Sequence, residues 1–129
     1  MTTRRTISSG GHWEPIYGYS RAVVVGEACY VAGTSDAGPD GKARHPGDPA
    51  AQARGVLEVI ERSLGSAGFS LRDVVRTRIY ITDAAHADAV GAVHGEFFGD
   101  VRPASAMIVM VGLVDPSLLV EIEADAVRG

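Results

Sequence analysis

The sequence predicts an α+β domain in which a mixed sheet of five to six strands carries two helices packed on one face. Five short segments have the apolar or alternating patterns typical of strands, and two longer segments place apolar residues at helical spacing. Their order along the chain is strand, strand, helix, strand, helix, strand, strand. No linker or low-complexity tract interrupts the 129 residues, so we expect a single domain over residues 1–129.

The first two strands are predicted at residues 21–25 and 28–32, which are mainly apolar. Only two residues join them, and the glycine of that pair, Gly26, suits a primed β-turn, so the two strands should form a hairpin. The flanking residues 6–18 and 33–49 are rich in Gly and in Ser, His or Pro. We expect both of these segments to be loops.

The first helix is predicted to begin after Asp48, whose side chain caps it, with Pro49 at the first helical position. Gly68 is expected to end the helix in the left-handed conformation, and Phe69 to fold back onto the last turn. The apolar residues that share one face of this helix are predicted to be buried, namely Ala53, Val56, Leu57, Ile60, Leu64 and Ala67.

An alternating strand is predicted at residues 75–82, and Asp83 directly after it is expected to cap the second helix. Gly99 is the predicted end of that helix. Its inward-facing positions are predicted to be Ala87, Val90, Val93, Phe97 and Phe98.

The last two strands are predicted as an antiparallel hairpin with a turn at residues 112–116. Residues 118–127 alternate strictly between apolar and mainly acidic positions, whereas residues 106–111 are apolar on both faces. Because two helices cover only one face of such a sheet, another copy of the chain is the simplest cover for the second apolar face. We therefore expect a homo-oligomer.

Composition excludes several classes of function. The formal net charge of −4 provides no electrostatic footprint for nucleic acid or an anionic membrane. The histidines have no metal-ligand spacing, so neither a metal nor a cofactor is expected. The single cysteine, Cys29, cannot crosslink the fold, and the polar start of the chain does not look like a signal peptide. These features favour a cytoplasmic protein with no membrane-spanning segment.

The chain resembles the RidA (YjgF/YER057c/UK114) family in an ordered set of short motifs. These are Gly18-Tyr19-Ser20, Val31-Ala32-Gly33-Thr34, the Gln-containing helix start at Gln52, Phe97-Phe98, Pro103-Ala104-Ser105 and Val120-Glu121-Ile122-Glu123-Ala124. The resemblance implies a chorismate-mutase-like fold and trimers with pockets at the subunit interfaces. It also implies hydrolysis of small planar enamine and imine intermediates, such as 2-aminoacrylate, to a keto acid and ammonia.

One position departs from the family pattern. In deaminating members a Pro-Ala-Arg-Ser motif supplies an arginine that binds the substrate carboxylate, and here Ser105 stands in its place. A serine offers one neutral hydrogen bond instead of a charged, planar fork. The resemblance therefore identifies a divergent member with Ser105 at the substrate site, in which Arg21, Arg78 or Arg102 could replace the missing arginine.

Three further site residues follow from the resemblance. Glu121 matches the family glutamate that positions the hydrolytic water, which makes it the candidate catalytic residue. The alternative is that Glu121 belongs to a solvated or salt-bridged row of acidic side chains. Tyr19 is expected to line the pocket, or else to pack on the core, and Gly33 to let the backbone approach a ligand, or simply to make a turn.

The leading hypothesis is an enamine or imine hydrolase of altered specificity, which turns over carboxylate-bearing imines poorly because the arginine is absent. The alternative is a non-catalytic ligand-binding or protein-protecting oligomer of the same fold. An endoribonuclease is a weaker alternative, because the chain is acidic and has no basic stripe with interleaved aromatic residues.

Overall fold

The computed structural model describes residues 3–129, which form a mixed sheet with its long helices on one face. The strands are β1 (Arg4–Ile7), β2 (Ala22–Val25), β3 (Ala28–Ser35), β4 (Val74–Ile81), β5 (Ala104–Val109) and β6 (Val120–Val127). The helices are α1 (Glu14–Tyr17), α2 (Pro49–Ser66) and α3 (Ala87–Phe98). The sheet order is β1-β2-β3-β6-β4-β5, and β4 and β5 are its parallel pair. The α+β class and the six-stranded mixed sheet are confirmed.

Helix α2 forms as predicted because its ends are determined by local chemistry. The Asp48 carboxylate accepts a hydrogen bond from the Ala51 backbone N–H at 3.0 Å, and Pro49 occupies the first turn. At the other end Gly68 has a φ of +85°, and the Phe69 N–H donates to the Leu64 carbonyl. All six residues of the predicted apolar face are buried.

The β2–β3 hairpin is also confirmed, with Gly26 at a φ of +58° in its turn. The next strand pair contains an irregularity that the sequence did not reveal. Where β3 pairs with β6, the register shifts between Val31 and Thr34. This β-bulge re-aims the backbone around Gly33, and bulges often lie beside functional sites.

The predicted hairpin between the last two strands is wrong. β4 lies between β5 and β6, pairing with β5 in parallel and with β6 in antiparallel orientation. Helix α3 connects β4 to β5, and a helical crossover of this kind places consecutive strands side by side in parallel. β6 then takes the centre of the sheet, where strands pair with both of its edges.

The N-terminal segment, in which residues 6–18 were predicted as a loop, is partly regular. Residues Arg4–Ile7 form the edge strand β1, and the single turn α1 follows after a short connection. The sequence does not predict this strand, because its residues are mostly polar and exposed and show no alternation of apolar and polar positions. Asp83 caps a short 3₁₀ turn just before α3, and Gly99 ends α3 with a right-handed φ of −54°.

The open face of the sheet and its β5 edge carry apolar side chains that no part of residues 3–129 covers. On β5 and just beyond it, Met107, Val109, Met110 and Val111 are all exposed. These exposed apolar side chains support the predicted oligomer, which remains a prediction. Within residues 3–129, no helix is both long enough and apolar enough to cross a lipid bilayer.

Candidate functional site

A cavity of about 490 Å³ lies beside the bulge of β3, and we call it the Glu121 cavity. Its walls come from the N-terminal segment, from residues 33–39 at the end of β3, from one side of α2 and from Glu121 on β6. Four parts of the chain that are distant in sequence therefore meet here. A cavity of this size is typical of sites for small molecules, which range from about 300 to 1,000 Å³.

Glu121 points from β6 toward the β-bulge. A methyl group at Gly33 would lie only 2.6 Å from Glu121 Oε2, so a glycine is needed for the carboxylate to occupy this position. Among residues 3–129, no side chain or backbone group forms a hydrogen bond or ion pair with this carboxylate. Burial raises the pKa of the Glu121 carboxyl; the nearby Arg21 charge lowers it, and repulsion from Glu123 adds to the rise. Glu121 is thus a partly buried carboxyl that is available to a ligand.

The alternative of a salt-bridged acidic row describes the other end of β6. Arg78 Nη1 lies 3.1 Å from Glu123 Oε1 and 3.5 Å from Asp125 Oδ2. Glu121 takes no part in this cluster. Glu123 and Asp125 therefore form ion pairs with Arg78, whereas Glu121 on the same strand lines the cavity.

Arg21 lines the cavity, but its guanidinium is buried and largely engaged by protein groups. Nη1 donates to the Gly33 carbonyl at 2.6 Å and to Thr34 Oγ1 at 2.9 Å. Nε donates to Ser9 Oγ at 3.2 Å, and Nη2 lies 3.4 Å from the Tyr19 hydroxyl. Little of its planar fork remains for a substrate carboxylate, so Arg21 positions the walls of the cavity and adds positive charge near Glu121.

Glu14 holds Arg21 from the other side and was not predicted. Its Oε2 accepts hydrogen bonds from the N–H groups of Ser9 and Gly11 and from the Ser9 hydroxyl, and lies 3.8 Å from Arg21 Nε. Burial alone would raise the pKa of Glu14, but hydrogen bonds led by that from Gly11 lower it below the ordinary value. The Ser-Ser-Gly-Gly run before Glu14, with several backbone N–H donors and little side-chain bulk, is the signal that could have revealed this carboxylate site.

The other predicted pocket residues have different outcomes. Tyr19 and Gly33 both line the cavity. The guanidinium carbon of Arg21 also lies over the Tyr19 ring, 5.5 Å from its centroid, in a cation–π contact. Ser105 does not line it. The Ser105 hydroxyl accepts a hydrogen bond from Thr77 Oγ1 at 2.8 Å, and the same Thr77 atom is 2.8 Å from His94 Nε2 on α3.

These contacts place Ser105 on the helix-facing side of the edge strand β5. Glu121, in contrast, is on the open face near the middle of the sheet. A single subunit therefore does not bring Ser105 and Glu121 into one cavity. A role for Ser105 in the cavity of a neighbouring subunit stays a prediction. Burial lowers the pKa of His94, consistent with a neutral imidazole in this hydrogen-bond chain.

Most of the other side chains that line the cavity were not predicted from the sequence, among them Trp13, Arg44 and Arg62. These three come from a loop, from the connection after β3 and from the exposed side of α2, and none belongs to a recognisable motif. Within the described chain, no group of three or more His, Cys, Asp or Glu residues could hold a metal ion. The prediction that the site needs neither metal nor cofactor remains a prediction.

The chain is similar to a known protein family and to a characterised relative. The family model described as Endoribonuclease L-PSP matches residues 11–128. The 3-aminoacrylate deaminase RutC of Acinetobacter baylyi is 39% identical over 112 residues, which cover 87% of this chain and 88% of RutC.

Two solved structures extend the comparison. Rv2704 of Mycobacterium tuberculosis, a member of the YjgF/YER057c/UK114 family, is 48% identical with a TM-score of 0.88, covering 98% of this chain and 100% of that chain. The YjgF gene product of E. coli is 29% identical with a TM-score of 0.83, covering 97% and 99%. The chorismate-mutase-like fold implied by the sequence motifs is therefore confirmed.

Proposed function

Because the chain belongs to the YjgF/YER057c/UK114 (RidA) family, we propose that it is an enamine and imine deaminase whose active site is the Glu121 cavity. The observation that carries the proposal is the Glu121 carboxyl, which lies against Gly33 in the cavity with no protein partner among residues 3–129 and a raised pKa. The similarity to a 3-aminoacrylate deaminase supports the same class of reaction.

The proposed chemistry requires one group that transfers protons and orients water. Protonation of an enamine at carbon forms the iminium tautomer, and water then adds to the carbon of the C=N bond. The nitrogen accepts a proton, the C–N bond breaks, and ammonia leaves as the carbonyl forms. A carboxyl with a raised pKa suits both proton transfers, because it holds its proton closer to neutral pH than an ordinary glutamic acid does.

Ammonia release tests this proposal. Imines and enamines generated in place from a panel of amino acids hydrolyse spontaneously, so the protein should accelerate release above that background rate. Glu121→Ala should return the rate to the background, since no other carboxylate among residues 3–129 lines the cavity. No acceleration for any member of the panel would favour the non-catalytic, ligand-binding alternative.

We also propose that 2-aminoacrylate is a poor substrate. Ser105 offers no charge where the family arginine stands, and the guanidinium of Arg21 is already engaged by the protein. A lost bidentate, charge-assisted contact is worth roughly 2–4 kcal/mol, which corresponds to about a hundredfold in kcat/KM or more. A wild-type rate on 2-aminoacrylate equal to that on the best imine of the panel would contradict this.

We further propose a cytoplasmic homotrimer. The uncovered apolar side chains on and after β5 support association, since leaving them in water costs about 25 cal/mol per Å². Light scattering should return three times the subunit mass. Charges introduced by Val109→Asp or Met110→Asp should dissociate the assembly. Val75→Asp, at a similarly exposed valine on β4, is a comparison that shows whether only the β5 edge is sensitive.

RNA cleavage is expected to be negligible despite the description of the family model. The chain carries a net charge of −4, and neutralising phosphates would require clustered basic residues on its surface. Incubation of the purified protein with messenger RNA should leave the RNA intact. Cleavage that disappears in Glu121→Ala would overturn this expectation.

A further inference from the structure

We propose that Arg44 and Arg62 form an anion-binding subsite in the Glu121 cavity, for the carboxylate or phosphate of a small molecule with a planar, apolar body. The inference rests on the proposed function in treating the cavity as the substrate site. It goes beyond that function because it assigns binding to residues on the loop after β3 and on α2, not to Arg21 or Ser105.

The first support is the balance of charge in the cavity. Its charged lining within residues 3–129 consists of Arg21, Arg44, Arg62 and Glu121, so three cations and one carboxylate line it. The chain as a whole has the opposite balance, with 12 basic and 16 acidic residues. A positive cavity in an acidic protein attracts an anionic ligand and focuses its field in the cleft.

The second support is the difference between Arg21 and the other two arginines that line the cavity. Glu14 lies beside Arg21, Glu96 pairs with Arg54 at 2.7 Å, and Arg78 pairs with Glu123. In the described part of the chain, the side chains of Arg44 and Arg62 form no hydrogen bond and no ion pair. Both residues are exposed, and their guanidinium groups keep all their donors, whose arrangement matches the geometry of a carboxylate or phosphate.

The third support is the size and apolar lining of the cavity. Trp13, Tyr17, Val59 and Val114 contribute aromatic and aliphatic surface. The volume of about 490 Å³ falls in the range in which drug-sized ligands are buried, well above what a three-carbon imine would fill. The lining therefore fits a larger molecule, with a planar body against the aromatic residues and an anionic group at the arginines.

Three probes test the subsite without any turnover, namely benzoate, phenyl phosphate and the neutral benzamide. Trp13 is the only tryptophan of the chain and lines the cavity, so its fluorescence reports binding. The wild-type protein should bind at least one of the two anions about tenfold more tightly than benzamide, because a charge-assisted pair is lost with the amide. Comparison of benzoate with phenyl phosphate shows which anionic group the subsite prefers.

Variants then locate the source of the preference. Arg44→Gln combined with Arg62→Gln should reduce anion binding about tenfold and leave benzamide binding unchanged. The matched control is Arg54→Gln, which removes an arginine of α2 that pairs with α3 instead of lining the cavity, and which should keep the wild-type preference. Far-ultraviolet circular dichroism checks that each variant remains folded.

Several outcomes would overturn the subsite. These are equal affinities of the wild-type protein for anions and benzamide, the absence of any Trp13 response to the anions, or a preference that survives in the double variant. Failure of the proposed function is a separate result, because binding requires no hydrolysis. Glu121→Gln should keep the preference for anions even where ammonia release is lost, and a protein that binds anions without turnover would retain the subsite while losing the deaminase assignment.

Discussion

Glu121 and Glu123 lie two residues apart on the same face of the same strand, yet they have different surroundings. β4 places Arg78 next to Glu123, and the two side chains form an ion pair. On the other edge of β6, the bulge of β3 brings the bare backbone of Gly33 against Glu121. One carboxylate is thus neutralised at a surface of the sheet, and the other is left partly buried without a partner.

The contrast shows that the neighbouring strand decides the chemistry of each carboxylate. A glutamate opposite an arginine has satisfied charge and contributes to pairing between strands. A glutamate whose side chain lies against a glycine in a β-bulge, next to a cavity, is free to contact a ligand, and burial raises its pKa. The following predictions test this difference, beginning with the largest expected effect.

The largest expected difference is in kcat/KM, when the charge of Glu121 or of Glu123 is removed. Glu121→Gln should lower kcat/KM for imine hydrolysis by roughly 10²–10⁴-fold, the usual contribution of a general acid or base. Glu123→Gln should change it by less than about threefold, within the normal effect of a surface substitution. Ammonia release measures both. Equal losses in the two variants would mean that the open face as a whole, and not Glu121, is required.

Ser105→Arg tests whether the edge strand completes the site of a neighbouring subunit. We expect kcat/KM for 2-aminoacrylate to rise by about ten- to a hundredfold, because the new guanidinium would restore a charged contact to the carboxylate. Adding Glu121→Ala should abolish the gain. An unchanged rate in a variant that still forms trimers would show that β5 borders no Glu121 cavity in the assembly.

Gly33→Ala tests the close approach that leaves Glu121 in place. The added methyl group would lie 2.6 Å from Oε2, so the carboxylate must move, and kcat/KM should fall by about ten- to a hundredfold. The backbone at Gly33 does not require a positive φ, so the free energy of unfolding should change little. Gly95→Ala on α3 is the matched control, since its methyl group meets open space and activity should be unaffected.

The effect of Glu121→Gln on stability should be the smallest of these effects, and it should depend on pH. A raised pKa means that native Glu121 binds its proton more tightly than in the unfolded chain, where the ordinary value is 4.5. The stability that the protonated native carboxyl contributes at low pH is therefore lost as the pH rises from 4.5 through the native pKa of Glu121. Glu121→Gln removes this loss and should raise Tm near neutral pH, with no gain below pH 4.5.

Glu123→Gln should instead leave Tm unchanged or lower it slightly, because it removes a partly exposed ion pair worth about 0–1 kcal/mol. Thermal unfolding followed by circular dichroism at several pH values measures both variants. A lower Tm for Glu121→Gln at neutral pH would show that the native carboxylate is stabilised by its surroundings, which contradicts the role assigned to Gly33 and the cavity.

The parts of the fold that were predicted correctly depend on short-range chemistry. The cap at Asp48, the left-handed Gly68 and the turn at Gly26 each act within a few residues of the chain, so their signals are complete in the sequence. Strand β1 lacked such a signal because its exposed residues do not alternate. The predicted hairpin of the last two strands failed because alternation reveals which face a residue occupies but not which strand lies beside it.

The sequence also predicted part of the cavity lining. Four of the five predicted site residues, Glu121, Tyr19, Arg21 and Gly33, line one cavity, and their roles there remain predictions. The state of Arg21 could not be read from its neighbours in sequence, because its partners Glu14 and Thr34 reach it only through the loop and the bulge. Ser105 was assigned to the pocket from its position in a motif, whereas pairing with β4 directs its hydroxyl to Thr77.

The sequence by itself determined the α+β class, the limits of α2, the hairpin of β2 and β3, and the family of the chain. These features depend on caps, turns, periodicity and motifs, which are local properties of the chain. Only the tertiary structure decided that β4 separates β5 from β6 and that Gly33 lies against Glu121. It also decided that Arg44 and Arg62 share one cavity with that carboxylate. These features depend on contacts between residues far apart in sequence, which form only when strand order, register and the β-bulge bring the segments together.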